Sequence, residues 1–327
     1  AYQWLCGGVP MNYHTLADFR TAPVEFLDAL LTRSVATLLA AGLVELTRVA
    51  QDGVRVRASA GAASFRRRKT LEACLAEAAA QVRTLRAELE ADPAATTARQ
   101  RQARERAARE RTERVAQALA HLPALEAKRK PAEKASARAS TTDPEARVMK
   151  MADGGFRPAY NLQFATATAT QVIVGVDVTN AGTDHGQLAP MVTQVEQRHH
   201  QPPADMLVDG GFVTKEDIEQ VSSRTTVYAP VPKPKNPARD PHAPLPTDSP
   251  AVAAWRERMG TPEAQAIYKE RAATAECVNA QARNRGLRQL CVRGLAKVRS
   301  IALWYAVAHN LSRAIALGAV AGFLHRS

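Results

Sequence analysis

The sequence predicts an α/β fold in which helices flank a mixed β-sheet and a helical hairpin interrupts the chain. Short β-rich segments occur on both sides of a long stretch dominated by Ala, Glu, Arg, Lys and Gln. The β-rich segments after that stretch alternate with helical ones, which is typical of α/β folds. The chain has 327 residues, of which 46% are hydrophobic. This length is sufficient for one large domain or two ordinary ones.

The charge of the chain points to a polyanionic partner. The formal net charge is +12, which favours nucleic acid, although a generic basic surface is the alternative. The four cysteines show no CxxC spacing, which indicates reduced thiols rather than a zinc site or disulfides. Residues 301–324 come closest to a membrane-spanning run, but His309, Arg313 and the amphipathic spacing predict a buried helix instead.

The N-terminal part predicts a helical segment followed by a strand. An apolar face recurs at helical spacing over residues 12–43. The next segment, LVELTRVAQDGVRVRAS, is rich in β-branched residues and predicts a strand over residues 43–57 with a bend at Asp52 and Gly53. An Asp inside an apolar strand has two explanations, which are a turn or bulge at Gly53 and a functional carboxylate.

Residues 66–135 predict two helices packed against each other. The first has an a/d seam of apolar residues, typical of a coiled coil, formed by Leu71, Leu75, Ala78, Val82, Leu85 and Leu89. Asp92 and Pro93 predict its end, and a second helix is expected from about Thr97. Together they predict an antiparallel hairpin. Its arginine run is typical of a solvated face, and a DNA or partner contact is the alternative.

The second half of the chain predicts further strands and an acidic residue at the end of one of them. AYNLQFATAT and QVIVGVDVTN are adjacent strand-like segments joined by a short turn. ADMLVD predicts a short buried strand that ends on Asp209, and the C-terminal ends of such strands are where α/β sites form. Asp184 and His185 could support a site or could simply occupy a turn.

The C-terminal region predicts a helix at Lys215–Val221, the strand TTVYAPV, and an irregular loop over residues 230–250. A long helix is expected from about Pro262 to Gly286, and a closing helix from about Gly294. Without the hairpin, the order is three sequential strands followed by alternating helix and strand, which is the order of an RNase H-like fold. The first three strands are expected to form an antiparallel meander.

This order of elements predicts three regions. Residues 1–43 would be a helical remnant of an N-terminal region. Residues 44–66 and 140–327 would form the RNase H-like catalytic domain, and residues 67–139 the inserted hairpin with its linker. The chain begins with Ala1 rather than Met, so we expect that part of the N-terminal sequence is missing.

Asp52, Asp209 and Glu276 lie in three different predicted elements, each suited to one part of a metal site. Mg²⁺ takes oxygen ligands and usually only a few carboxylates. In two-metal catalysis the ions lie about 3.5–4 Å apart and activate the attacking and leaving oxygens of a phosphodiester. We therefore expect the three carboxylates to converge on two ions, Mg²⁺ or Mn²⁺, with Asp52 bridging both. The predicted reaction is phosphodiester transfer in DNA.

The helix that carries Glu276 also places basic residues beside it. Tyr268, Arg271, Glu276, Asn279 and Arg283 fall within one broad face of a regular helix. Guanidinium groups on this face suit contacts with DNA phosphates. The alternative is an ordinary surface helix held by salt bridges.

The segments STTDPEARVMKMADGGFRPAYNLQFAT, LVDGGF and YKERAATAECVNAQARNRGL, with RGLAKVRSIALWYAVAHNL after them, resemble bacterial insertion-sequence transposases of the DDE type. They are similar to the group numbered 1182, and the resemblance covers nearly the whole chain. It implies that Asp52, Asp209 and Glu276 form the catalytic, metal-binding triad.

The resemblance also implies a phosphate-contacting pattern on the last helix. The family's Tyr–Arg–Glu–Lys pattern falls on Tyr268, Arg271 and Glu276, with Arg283 at the lysine position. Arg271 and Glu276 are one residue further apart than in the better-known related groups. The implied partners are the double-stranded DNA of element ends and target, bound by a homo-oligomer, with no membrane. The implied location is the bacterial cytoplasm, associated with the nucleoid.

Three functions remain open at this point. The first is a DDE transposase that cleaves and transfers DNA strands. The second is a truncated, non-catalytic DNA-binding fragment, because most of the family's helical N-terminal region is absent from this sequence. The third is an RNase H-like nuclease that hydrolyses DNA without strand transfer.

Overall fold

The computed structural model describes residues 12–20, 23–91, 97–234, 236 and 238–318. The predicted helix break at Asp92 and Pro93 lies outside these residues. So do the beginning of the predicted segment 1–43 and the end of the predicted segment 301–324. The chain divides into two compact units. The first contains the described residues within 1–54, 161–288 and 296–327, and the second contains those within 55–160 and 289–295.

The described helices and strands are numbered separately in chain order. The α-helices are α1 (Tyr13–Arg20), α2 (Val24–Ala40), α3 (Arg68–Ala91), α4 (Ala98–Ala127), α5 (Leu188–His199), α6 (Lys215–Val221), α7 (Pro250–Met259), α8 (Pro262–Arg271), α9 (Cys277–Asn284) and α10 (Leu295–Ala316). The strands are β1 (Arg48–Arg57), β2 (Phe65–Arg66), β3 (Ala139–Ser140), β4 (Arg147–Lys150), β5 (Phe156–Ala167), β6 (Ile173–Thr179), β7 (Asp205–Leu207) and β8 (Thr226–Tyr228). A π-helical turn, Ala272–Glu276, joins α8 to α9.

The sheet of the first unit is mixed. Its strands are neighbours in the order β6, β5, β1, β7 and β8. Strand β6 runs antiparallel to β5, whereas β7 runs parallel to both β1 and β8. The predicted α/β class with a mixed sheet is therefore confirmed.

Buried apolar side chains hold the helices of the first unit together. Helix α2 buries the face formed by Leu27, Leu31, Val35 and Leu38.

Helix α10 fixes the turn between β5 and β6 through its polar side chains. Asn310 bonds to both the N–H and the C=O of Ile173, at 2.8 and 2.7 Å, and Arg313 donates to the C=O of Thr170 at 2.7 Å. These bonds satisfy backbone groups that the end of the sheet would otherwise leave unpaired.

The second unit contains the paired helices α3 and α4. Arg68 bonds to Glu126 at 2.9 Å and Arg111 to Glu77 at 3.3 Å, so the two helices run in opposite directions. Their shared core consists of Leu71, Val115, Ala118 and Leu122, together with Ala137 and Ala139. The same unit contains the short antiparallel pairs β2–β3 and β4–β5. Strands β2, β3 and β4 were not predicted, because each is too short to show a β periodicity in sequence.

The helical regions also differ from the prediction in detail. The segment 12–43 contains two helices, α1 and α2, rather than one. Helix α7 follows the predicted loop and was not anticipated, although Ser249 caps it and Pro250 occupies its first turn, a recognisable start signal. Within the described residues, no helix combines the length and apolar character needed to cross a membrane.

Candidate functional site: a carboxylate cluster around Arg271

The parallel register of β1 and β7 brings Asp52 level with Asp209. Arg48 pairs with Asp205, and Ala50 pairs with Leu207. Asp52 lies two residues after Ala50, and Asp209 lies two residues after Leu207. Side chains of a strand alternate between its two faces, so residues that are two positions apart return to the same face. The register thus accounts for the approach of two carboxylates that are far apart in sequence.

The guanidinium of Arg271 lies among all three predicted metal ligands. Its Nη2 is 3.3 Å from Oδ1 of Asp52 and 3.6 Å from Oδ2 of Asp209, and its Nη1 donates to Oε1 of Glu276 at 3.2 Å. The Arg271 side chain is only 9% exposed, whereas those of Asp209 and Glu276 are 42% and 59% exposed. The structure therefore brings Asp52, Asp209 and Glu276 together around a buried cation that belongs to the protein.

The π-helical turn explains how Arg271 reaches Glu276. In a regular helix, residues five positions apart point about 140° away from each other. The turn Ala272–Glu276 is π-helical, with wider i→i+5 bonding. It brings residue i+5 back towards the face of residue i, and the 3.2 Å bond between Arg271 and Glu276 results. Arg271 and Glu276 are five residues apart, one more than the spacing that a regular helix places on one face. The π-helical turn absorbs this additional residue, so Arg271 still pairs with Glu276.

Asp52 is held by two donors besides Arg271. Asn279 Nδ2 donates to its Oδ2 at 3.0 Å, and the backbone N–H of Gly53 donates to its Oδ1 at 3.0 Å. Burial raises the pKa of the Asp52 carboxyl, and the neighbouring Asp209 raises it further, while the positive charge of Arg271 lowers it. Asp209 Oδ1 accepts a bond from the N–H of Gly211 at 2.7 Å. Both aspartates are thus oriented by the glycine-containing backbone that follows them.

Helix α8 is attached to the sheet by a second ion-pair group. Arg48 donates to Glu270 at 2.6 Å and to Asp205 at 3.3 Å, which joins β1, β7 and α8. Glu270 directly precedes Arg271, so this attachment also fixes the position of the guanidinium. Tyr268 is half-buried on the same helix, and burial is the main reason that the pKa of its hydroxyl is raised.

Gly53 contacts a separate polar network. A Cβ atom at Gly53 would lie 2.5 Å from Oδ1 of Asp184 and 2.6 Å from both Oδ1 of Asn161 and Nε2 of Gln163. Asp184 Oδ1 itself accepts bonds from Asn161 Nδ2 at 2.6 Å and Gln163 Nε2 at 2.7 Å. The space beside Gly53 is therefore filled by protein. The glycine is required here for close packing of this network, rather than to admit a metal ion.

Arg283 does not join the carboxylate cluster. Its Nε donates to the C=O of Asn279 at 3.3 Å, one turn earlier in α9, and the residue is exposed. Two residues had no role assigned from sequence, namely Asn279, which bonds to Asp52, and Gln163, which belongs to the polar network beside Gly53. Gln163 and Asn161 alternate within an otherwise apolar strand, and that pattern signals a polar pocket. Asn279 could only be placed on the same broad helix face as Glu276.

The donor set fits a divalent cation by its chemistry, since carboxylate oxygens are the ligands that Mg²⁺ prefers. The observed arrangement, however, is that of carboxylates neutralised by arginine. Across the part of the chain that the structure describes, no group of three or more His, Cys, Asp or Glu is arranged so that it could hold a metal ion. Beside Asp52, Asp209 and Glu276, the charged partner that the structure shows is the guanidinium of Arg271.

Comparison with known proteins gives one match. No curated protein and no solved structure matches the chain significantly. Residues 245–315 match the family model described as a transposase DDE domain. The matched segment runs from the loop before α7 into α10 and includes Arg271, Glu276 and Asn279. Residues 245–315 are thus similar to a transposase DDE domain, and this segment contributes Arg271, Glu276 and Asn279 to the carboxylate cluster.

Proposed function

We propose that this protein cleaves and transfers DNA strands as the transposase of an insertion sequence, with an RNase H-like catalytic domain. The observation that carries the proposal is the meeting of Asp52, Asp209 and Glu276 at one point of the first unit. Asp52 comes from β1, Asp209 lies two residues after β7, and Glu276 lies in the helical segment that matches a transposase domain.

The sheet of the first unit supports the RNase H-like proposal. Its first three strands in chain order are β1, β5 and β6, since the helical hairpin and the short strands β2, β3 and β4 belong to the second unit. Strand β5 pairs with both β1 and β6. Strands β7 and β8 follow after helices and are parallel to the first strand. We propose residues 44–66 and 140–327 as the catalytic domain, residues 67–139 as an insertion, and residues 1–43 as part of an N-terminal region.

Asp52, Asp209 and Glu276 are the residues that would hold two Mg²⁺ or Mn²⁺ ions. Bound there, the ions would activate the attacking oxygen and stabilise the leaving oxygen of a phosphodiester. The protein's own part is to orient the carboxylates. Asn279 and the N–H of Gly53 fix the two oxygens of Asp52, and the N–H of Gly211 fixes Asp209.

The proposed partner is double-stranded DNA, bound as element ends and as target by a homo-oligomer. The net charge of +12 supports a polyanionic partner. Exposed Arg283 on α9 and half-buried Tyr268 on α8 lie on the segment that carries Glu276 and are proposed to contact DNA phosphates. A role on DNA also implies the bacterial cytoplasm, in association with the nucleoid.

The decisive experiment uses DNA duplexes with the sequences that flank the protein's own coding region. The duplexes are end-labelled and incubated with the protein, Mg²⁺ or Mn²⁺, and a supercoiled target plasmid. We expect metal-dependent cleavage at the element ends and joining of the labelled ends to the plasmid. Asp52→Asn, Asp209→Asn and Glu276→Gln should each reduce both reactions by orders of magnitude, while Glu263→Gln, an exposed residue in the first turn of α8, should not.

Each other outcome points to a different function. Cleavage without joining would replace the transposase proposal with a hydrolytic nuclease. DNA binding without any cleavage, unchanged by the three substitutions, would indicate a non-catalytic DNA-binding protein. Equal activity of Glu276→Gln and Glu263→Gln would remove Glu276 from the catalytic set.

A further inference from the structure

Arg271 is an unusual occupant of a site proposed to bind metal ions. It is a single positive charge placed against three carboxylates, at 3.2 to 3.6 Å. With all three acids ionised, the cluster keeps an excess of two negative charges, which equals the charge of one divalent cation. A cluster with this excess attracts a divalent cation, whose charge is twice that of the arginine already present.

The hydrogen bonding of Arg271 is also incomplete. Its Nε is buried and has no hydrogen-bond partner within the described residues. A buried donor without a partner costs free energy relative to a fully bonded one. Its approach to Asp209 is 3.6 Å, longer than a well-formed charged hydrogen bond. Arg271 is therefore held in the cluster by charge more than by good bonding geometry.

We infer that Arg271 is an exchangeable counter-ion: divalent cations displace its guanidinium from Asp52, Asp209 and Glu276, and the released guanidinium then binds a DNA phosphate. The inference rests on the proposed function and extends it, because it couples metal binding to DNA binding. Without metal, Arg271 neutralises the acids and is unavailable to DNA. With metal bound, the same side chain adds a positive charge to the DNA-facing surface.

The exchange has a thermodynamic consequence that can be measured. A ligand that competes with Arg271 for the carboxylates should bind more tightly when the arginine is removed. By linkage, metal and DNA should each strengthen the binding of the other in the wild-type protein, by the same factor. Couplings of this kind typically amount to roughly 5- to 150-fold in affinity. In a protein without Arg271, this mutual strengthening should disappear.

The test compares the wild-type protein with Arg271→Gln, Arg271→Lys and the control Arg285→Gln, at an exposed position directly after α9. Mn²⁺ binding is measured by calorimetry in the absence of DNA. We expect Arg271→Gln to bind Mn²⁺ roughly 5- to 150-fold more tightly, Arg271→Lys to be intermediate, and Arg285→Gln to match the wild type. Unchanged or weaker Mn²⁺ binding by Arg271→Gln would overturn the exchange.

The second readout is DNA affinity, measured with a short duplex of arbitrary sequence and with Ca²⁺ in place of Mg²⁺. Ca²⁺ should increase the affinity of the wild type and of Arg285→Gln, but not that of Arg271→Gln. An equal gain in all three proteins, or no gain in the wild type, would overturn the inference.

Because Arg271→Gln could fail to fold, the wild type is also followed by NMR of ¹⁵N-labelled arginine. The Nε resonance of Arg271 should shift on addition of Mg²⁺, and a resonance that stays fixed at saturating Mg²⁺ would count against exchange.

The variants Asp52→Asn and Glu276→Gln separate this inference from the proposed function. If the wild type binds Mn²⁺, these variants do not, and Arg271→Gln is unchanged, only the exchange is wrong. If the wild type binds no Mn²⁺ at all, the two-metal proposal itself fails.

Discussion

Asn279 donates from Nδ2 to Oδ2 of Asp52 at 3.0 Å, and this bond joins helix α9 to strand β1. Asn279 is only 3% exposed, so the bond is shielded from competing water. The amide occupies one carboxylate oxygen, while the N–H of Gly53 and the guanidinium of Arg271 face the other. Asn279 therefore determines which oxygen of Asp52 is directed towards incoming ligands. It is a positioning residue for the proposed metal site.

Asn279→Ala should reduce metal-dependent cleavage about 10- to 100-fold, as substitutions of residues that orient metal ligands typically do. The physical reason is that the carboxylate of Asp52 loses a donor and becomes free to rotate. Mn²⁺ affinity, measured by calorimetry, should fall with the cleavage rate. Asn284→Ala is the matched control, because Asn284 ends the same helix and is exposed. Equal cleavage rates for the two variants would show that the bond to Asp52 has no positioning role.

The π-helical turn leads to a prediction about chain length. Deletion of Ala272 should be tolerated, because Arg271 and Glu276 would then be four residues apart, a spacing that a regular α-helix places on one face. Ala272 is exposed and opens the π-helical turn. We expect the deletion variant to keep its melting temperature and its helical circular dichroism, with a continuous α-helix in place of the π turn.

The control for this deletion is the removal of Ala280, which is exposed on the regular helix α9. There the missing residue cannot be absorbed, and every later position rotates by about 100°. This rotation moves Ala282 of α9 out of the core, where it is fully buried. The Ala280 deletion should therefore lower the melting temperature strongly. If both deletions lower the melting temperature equally, the π turn does not absorb an additional residue.

Sequence periodicity located the site-bearing elements but not the contacts between them. Strand β1, strand β7 and the helix carrying Glu276 were each predicted near their observed positions, because apolar patterns and Gly or Pro boundaries mark them clearly. The parallel register of β1 and β7 depends on long-range pairing and has no local signature. The position of Arg271 was also not predictable, because a guanidinium on a helix face suits a phosphate as well as a carboxylate.

The hairpin of α3 and α4 is predicted to contribute to DNA binding through its unpaired arginines. Arg109, Arg111 and Arg114 form ion pairs with glutamates. Within the described residues, the exposed side chains of Arg99, Arg104 and Arg106 form none. Replacement of these last three by Gln should weaken DNA binding and reduce the slope of log K against log [salt] by about 2 to 3, since each phosphate contact contributes roughly 0.9.

The matched control replaces Arg109, Arg111 and Arg114 by Gln, which removes the same charge from ion-paired positions on α4. This variant should change the salt slope less, because these guanidiniums are already engaged by Glu105, Glu77 and Glu110. The affinities are measured by fluorescence anisotropy over a range of salt concentrations. An unchanged slope after replacement of the unpaired arginines would indicate that this face is only solvated.

In the second unit, the carboxyl of Asp143 is fully buried. It accepts a bond from the Tyr160 hydroxyl at 2.7 Å and one from the N–H of Gly294 at 3.3 Å. Its Oδ2 has no hydrogen-bond partner within the described residues. Burial raises the pKa of Asp143 above its usual value, although these bonds act in the opposite direction.

This raised pKa predicts how stability depends on pH. The unfolded chain ionises Asp143 at lower pH than the folded protein does, so the folded state binds the proton more tightly. The contribution of Asp143 to stability is therefore fully present below the unfolded pKa of 3.8 and is lost as pH rises through the folded pKa. The loss is about 1.4 kcal/mol for each unit by which the folded pKa exceeds the unfolded one. Asp143→Asn removes the titration, so the stability of the wild type relative to Asp143→Asn should decline from acidic to neutral pH.

Asp153 in the same unit provides a control of opposite sign. It is exposed, and the hydrogen bond from Arg157 lowers the pKa of its carboxyl. Its contribution is present above the unfolded pKa and is lost as pH falls, so the stability of the wild type relative to Asp153→Asn should decline towards acidic pH. Urea unfolding of the wild type and both variants over this pH range measures the two differences. If the difference between the wild type and Asp143→Asn does not change with pH, Asp143 titrates normally in the fold, and its burial has no electrostatic cost.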